Sequence, residues 1–447
     1  MPDDTAPAEP AATATTPVAP PISRNHQFLA LWAAQATSQV AQNGINLALL
    51  VLVQERTHSP AAVSLTVLSF IVPSVLFGIL AGVFVDRVDK KVIMVATNVL
   101  RALAVLGYIF FDQTLGLILM VNFLFATISQ FFAPAEVASI PRLVRREDLL
   151  TANSLFNLTF NGSQLIGFIV VTPLIIKLFG VHAFFVLAAI LYVLAAILVS
   201  LLPRERARLA MVSSAESQRM ILSIWAEIKE GWAILTRDRT SSLAMAQWTL
   251  VTTMVPLLAV IGPAFAEGVM KARPEDMVFL FAPAGIGMIL STTLLNRLAH
   301  RFAKHTLITA GLVILGISLL LVAAAKTGGS YLLYNLLGRV IDTSGLVMEL
   351  IPIIMVLAFF LGIAAALINI PSTTIIQERC PASFRGRIFA VQFTVANAAS
   401  IVPLLFIGSI AALIGVNKTI FLTGLLTLAS AALGWRVRQV AGRQEDK

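Results

Sequence analysis

The stretch Gly78-Ile-Leu-Ala-Gly82-Val-Phe-Val-Asp86-Arg87-Val-Asp89-Lys90-Lys91 closes one long apolar run and opens another. Five of its last six residues are charged. A charge at the centre of a bilayer costs about 2.5–3.5 kcal/mol even on insertion scales, so this segment belongs outside the hydrocarbon. It reads as a short hinge between two membrane-spanning helices. Gly78 and Gly82 lie four residues apart on one helix face, which would let that helix approach a neighbour closely. A charged loop held this way can latch two helical bundles together or let them part.

Composition agrees. The chain has 447 residues, 58% hydrophobic and 12% charged, with a mean hydropathy of +0.88. Soluble domains carry about 25% charged residues. A soluble enzyme is therefore excluded, and an all-α polytopic membrane protein is expected. The lone Cys380 forms no intrachain disulfide. Residues 1–23 are rich in Ala, Pro and Thr and carry Asp3, Asp4 and Glu9. They lack the basic start and apolar core of a signal peptide, so a disordered cytoplasmic tail is expected.

Twelve spans of roughly 20 residues can be drawn, each matched to a hydrocarbon core of about 30 Å. The first six cover 28–53, 62–85, 92–111, 117–139, 150–176 and 181–202. The second six cover 242–266, 277–298, 306–325, 351–376, 388–412 and 420–435. The expected organisation is a tail over 1–23, six-helix bundles over 24–202 and 242–436, a linker over 203–241, and a tail over 437–447. With both termini cytoplasmic, the inner segments hold 24 Lys and Arg and the outer loops hold 7. That bias sets the orientation in a cytoplasmic membrane. It also accounts for the net charge of +9, so no nucleic-acid partner is implied.

Within the linker, Ile221, Trp225, Ile228, Trp232 and Leu235 fall at helical spacing, with Glu227, Lys229 and Glu230 on other faces. This reads as an amphipathic helix on the inner membrane surface, or as a linker helix with only a packing role. The two halves echo one another. Pro134 and Pro371 are 237 residues apart, as are Phe156 and Phe393. The segment 86–91 aligns with His300-Arg301-Phe-Ala303-Lys304-His305 at an offset of 214. The extra residues fit the longer outer stretch at 327–349, which reads as either a surface helix or a gate. Parallel six-span repeats mark a transporter with a central cavity between two bundles.

These residues resemble the major facilitator superfamily, whose loop between the second and third spans reads roughly Gly-x-x-x-Asp-Arg-x-Gly-Arg-Lys/Arg. Here it is Gly82-x-x-x-Asp86-Arg87-x-Asp89-Lys90-Lys91, with Asp89 in place of Gly. The Asp form is similar to that of the bacterial macrolide and siderophore efflux branch. So are Ala133-Pro134-Ala-Glu136 and Phe384-Arg385-Gly386-Arg387. The resemblance implies alternating access, with Asp86 meeting the inner end of the 388–412 span in the outward-facing state. A latch of Gly82, Asp86, Arg87, Asp89, Lys90, Lys91, Arg101, Glu136, Arg385, Gly386 and Arg387 is expected. Arg87, Lys90 and Lys91 would hold the loop or contact anionic lipid. The alternative is a loop serving insertion topology alone.

Few ionisable groups fall inside the spans. Arg101 lies mid-span and reads as part of a structural or latch network, as an anion site, or as a snorkelling side chain. Glu136 is expected to join Arg142, Arg145 or Arg101 near the inner gate, or to be an interfacial carboxylate. In the first span Gln35, Gln39, Gln42 and Asn46 form one helical stripe. Amides facing lipid are costly, so the stripe lines a cavity or bonds to neighbouring helices. Gln164, Gln247 and Asn369 are further cavity candidates. The first span, 28–53, has no Asp or Glu, and Phe168 follows Gly167 where the family's antiporter motif has Pro. The sequence has no phosphate-cradling loop, no metal-ligand cluster and no nucleophile–base motif, so neither cofactor nor enzymatic activity is expected. The resulting expectation is a monomeric secondary transporter exporting a lipophilic or amphipathic small molecule, with protons and membrane lipids as partners. The alternatives are an uptake carrier or lysophospholipid flippase on the same fold, and a non-transporting membrane scaffold or sensor.

Overall fold

The computed structural model describes residues 22–203 apart from Asp86, then Lys229, Ala233, 239–268, 277–298, 301–337, 343–379 and 385–445. The N-terminal helices are α1 (His26–Thr57), α2 (Pro60–Val85), α3 (Lys90–Phe110), α4 (Leu115–Leu143), α5 (Leu149–Leu165), α6 (Thr172–Phe179) and α7 (Val181–Ser200). A π-helical turn, Ile166–Val171, joins α5 to α6 within the fifth span. The C-terminal helices are α8 (Arg239–Gly268), α9 (Met277–Leu298), α10 (Lys304–Leu337), α11 (Thr343–Arg379), α12 (Arg385–Ile414) and α13 (Val416–Glu445). Eleven of the resulting segments are long and apolar enough to cross a membrane among the described residues, and α9 contributes the shorter apolar segment Ala282–Ser291. The fold is an all-α polytopic membrane protein.

The ends of these helices follow local chemistry. Asn25 caps α1 by accepting from the Phe28 amide, and its own amide donates to the Leu143 carbonyl at 2.5 Å. Asp89 caps α3 by accepting from the Lys91 amide at 2.8 Å. Between the fifth and sixth spans the chain reverses at Gly180, with φ of +86°. Between the eleventh and twelfth it reverses at Gly415, with φ of +93°. Only glycine adopts these angles without strain. The same one-glycine turn therefore stands in both halves, as the six-span repeat implies.

The outer stretch at 327–349 belongs to no separate surface helix in its described parts. α10 continues to Leu337 and α11 begins at Thr343, so two spans extend past their apolar cores. The expected linker helix lies outside the described residues except for Lys229 and Ala233, which are helical. The start of α1, the start of α3 and the ends of α4 and α7 share one end of the structure, with Asn25 bonded to Leu143 and Lys91 to Leu202; the opposite end is the distal one.

Candidate functional site

Contacts between the two bundles run along α2 against α12 and α1 against α8, with α2 against α8 and the π turn against α9. The Ser64 hydroxyl donates to the Leu404 carbonyl. A Cβ on Gly408 would sit 2.4 Å from the Pro60 carbonyl oxygen, so α12 meets the start of α2 nearly backbone to backbone. Asn397 reaches Ser74 at 3.5 Å. At the distal tip, Gln54 Nε2 donates to Glu267 Oε2 at 2.7 Å, and His58 Nδ1 lies 2.7 Å from Glu267 Oε1. Gln54 is buried, whereas His58 is exposed.

The proximal half of α2 differs. Gly78 has only Gln130 Oε1 near its missing Cβ, at 3.8 Å, and Gly82 has nothing within 4 Å. Among the described residues, the close approach expected of this glycine face is absent. The tight crossings fall at other glycines, including Gly362, whose Cβ would meet the Ala284 carbonyl. Among the described side chains, α2 meets α12 at Pro60, Ser64 and Ser74.

The expected latch is described only in part. Asp86 lies outside the described residues, as do the side chains of Arg385, Gly386 and Arg387, whose backbone forms the first turn of α12. Arg87 is half-buried in the turn, with its amide bonded to the Phe84 carbonyl. Lys90 is buried at the start of α3. Lys91 Nζ donates to the Leu202 carbonyl at 2.5 Å and so fastens the loop to the end of α7 within its own bundle. Arg145 turns to Glu147 and Asp148 at 2.6 and 2.8 Å, where it holds the α4–α5 turn away from Glu136.

Arg101 does not snorkel. It is 4% exposed, with Nε donating to the Ser129 hydroxyl at 3.0 Å and a terminal nitrogen donating to the Ser129 carbonyl at 3.1 Å. Its guanidinium carbon stands 4.6 Å from the centre of the Phe132 ring and 5.6 Å from that of Tyr192. Glu136 is buried on the same face of α4, and its charge and that of Arg101 act on each other.

The first-span stripe divides. Gln35 is buried and donates to the Phe156 carbonyl on α5 at 3.4 Å. The Gln42 amide meets the Ser129 and Tyr192 hydroxyls at 3.3 and 3.4 Å. Those two bond between helices, whereas Gln39 and Asn46 remain half-buried. Gln164 is exposed and Asn369 is half-buried. Gln247 is buried against Gly434 of α13, where a Cβ would lie 2.6 Å from its Nε2. It therefore packs inside the C-terminal bundle.

Gln54, His58 and Glu267 were not visible as a site in the sequence. Gln54 and Glu267 are 213 residues apart, and each looks like an ordinary polar residue at a span end. Ser129 and Tyr192 were missed for a similar reason, since a hydroxyl in an apolar helix carries no spacing signal.

Two bundles of membrane-length helices meet along a seam, with buried polar groups inside both, which is the architecture of a multi-pass membrane protein. The family profile of the Major Facilitator Superfamily matches residues 31–348, and the chain belongs to that family. It is 26% identical over 416 residues to the uncharacterised MFS-type transporter YfiS of Bacillus subtilis (strain 168), covering 91% of this chain and 92% of that protein. It is 23% identical over 411 residues to macrolide efflux protein A of Streptococcus pyogenes, covering 91% and 94%. Among solved structures, the nucleoside transporter NupG superposes with a TM-score of 0.68 at 12% identity, covering 92% of this chain and 98% of that one. The POT family transporter PepTSo gives 0.66 at 14% identity, covering 93% and 99%. At these identities the two structures establish the fold alone.

Proposed function

We propose that this protein exports a lipophilic or amphipathic small molecule across the cytoplasmic membrane by alternating access, driven by proton antiport. Both termini face the cytoplasm in this reading, so the distal end faces outward. The observation that carries it is the polar tie across the distal seam. Glu267, Gln54 and His58 join the distal tips of α1 and α8. Hydrogen bonds at a helix tip hold the two halves together in one state and can be released in the other. The Asp86 loop would then latch to the start of α12 when the outer side opens. The similarity to macrolide efflux protein A supports export and the solute class.

The test is solute-driven pH change in inverted vesicles carrying the protein, with macrolides, lipophilic cations and siderophores offered singly. The expected result is proton release with at least one solute, lost in Asp86→Asn. Solute movement without proton movement would replace antiport by uptake or lipid movement. No movement of any solute or lipid would favour the scaffold.

A further inference from the structure

The interior of the N-terminal bundle holds polar atoms that the seam does not use. Among the described residues, Glu136 Oε1 has no hydrogen-bond partner although the residue is 3% exposed. Asn98, one turn before Arg101 on α3, is wholly buried with both amide atoms unpartnered. A buried carboxylate oxygen with no donor is costly when the group is ionised and less so when it is protonated. Two of the five Arg101 N–H donors go to Ser129, and Arg101 and Glu136 form no ion pair among the described residues. Arg101 can serve Ser129, as the structure displays, or turn toward Glu136, which is buried on the same face of α4.

We propose that Glu136 and Arg101 form a proton-binding switch inside the N-terminal bundle. With the carboxyl protonated, Arg101 stays on Ser129. When the O–H bond breaks and the proton passes to water, the carboxylate draws Arg101 away from Ser129. The Ser129 hydroxyl then loses the group that orients it. That hydroxyl touches the Gln42 amide at 3.3 Å and the Phe125 carbonyl at 2.8 Å, and its single proton serves one of them at a time. The state of Glu136 thus reaches α1, the helix whose distal end holds the seam. Two discrete arrangements of one buried arginine are the kind of element a ligand can bias.

Among the described residues, the other ionisable groups on the surrounding elements are placed elsewhere: Arg142 is exposed in the last turn of α4, and Arg87 lies in the α2–α3 turn. α2 and α5 contain no ionisable side chain. On α3, Arg101 faces Glu136, while Lys90 and Lys91 sit at the helix start and Tyr108 donates to Asn122. On α7, Tyr192 faces Arg101, and His182 lies at the distal end against Asp112. On α1, His26 is at the exposed start, and Glu55 and Arg56 are at the distal end.

Proton binding here is independent of any solute. Its coupling to export rests on the transport reading above, and the experiment separates the two. Full-length protein in liposomes, without solute, is stepped in pH and followed by infrared difference spectroscopy. A carboxylic-acid carbonyl band that titrates in the wild type and is lost in Glu136→Gln is expected, with its midpoint moved in Arg101→Lys and Ser129→Ala. An unchanged band in Glu136→Gln overturns the proposal. If Glu136→Gln does not assemble, Glu136→Asp is used, and a band that keeps its frequency and midpoint overturns it equally. In the transport arm, Glu136→Gln is expected to lose proton release while retaining solute exchange. Proton release equal to wild type overturns the switch. A Glu136-dependent band with no solute-driven proton release in the wild type leaves the proton site standing and removes the antiport reading.

Discussion

Gln54 at the end of α1 donates to Glu267 at the end of α8 across 2.7 Å, and this bond joins the two halves of the molecule at their distal tips. His58 touches the other carboxylate oxygen. The carboxylate spans the seam with both oxygens occupied, so removing it leaves buried Gln54 without that acceptor.

Glu267→Ala is therefore expected to weaken the distal closure by about 1 kcal/mol, roughly fivefold in the ratio of closed to open forms. The check is labelling of a cysteine placed at Ser64, compared with and without the substitution. Faster labelling from the distal side is the expected outcome, and an unchanged rate would mean the contact does not hold the seam.

Gly408 is the second hold on the same seam. A Cβ there would lie 2.4 Å from Pro60 O and 2.7 Å from Ala61 Cα, both backbone atoms that cannot rotate away. Gly408→Val is expected to force α12 off α2 at a cost of about 1–3 kcal/mol. Labelling at Ser64 should rise here too, and thermal unfolding in detergent should shift down, since one apolar core runs across the seam.

Gly167 makes an equally tight contact inside one bundle. Its Cβ would meet the Val40 carbonyl at 2.6 Å, where the π turn crosses α1. The Thr172 hydroxyl donates to the Gly167 carbonyl at 2.6 Å, which occupies one carbonyl of the irregular turn. Gly167→Ala should lower the unfolding temperature more than Gly162→Ala, because Gly162 has nothing within 4 Å. Equal effects would sink this account of the π turn.

Asp112, in the turn between α3 and α4, binds Arg56 at 2.5 Å and His182 at 3.1 Å. Burial alone would push its carboxyl up, but the Arg56 charge and hydrogen bond, with His182 beside it, hold it below its ordinary value. A carboxyl depressed in the folded state stabilises above its unfolded value of about 3.9, and that stability is lost as pH falls through the folded value. Asp112→Asn should cost about 1 kcal/mol near neutral pH, kept small by solvent screening at the half-exposed Arg56. The gap between wild type and variant should close below about pH 4 in thermal unfolding scans.

The chain alone determined most of the architecture. Span positions follow from the length of apolar runs, because a helix must bury every backbone group in lipid and only about 20 residues cross. The start of each described span lies within a few residues of its apolar run, apart from α11, which begins earlier at Thr343. The repeat was legible in Pro134 and Pro371 because fold symmetry leaves the same kink residue in the same place. Helix rotation was not legible. The stripe from Gln35 to Asn46 could face a cavity or a neighbour, and Gln35 and Gln42 turned to neighbours because Phe156, Ser129 and Tyr192 were there to meet them. Hydropathy measures the cost of facing lipid and says nothing about which protein surface is faced instead. Tertiary structure also decided which glycines are crowded. Gly82 looked like a packing residue from its spacing, but a glycine packs tightly only where a second backbone arrives, as Pro60 does at Gly408. Glu267 gained its place in the seam the same way, since only the docking of two bundles brings Gln54 and His58 to one carboxylate.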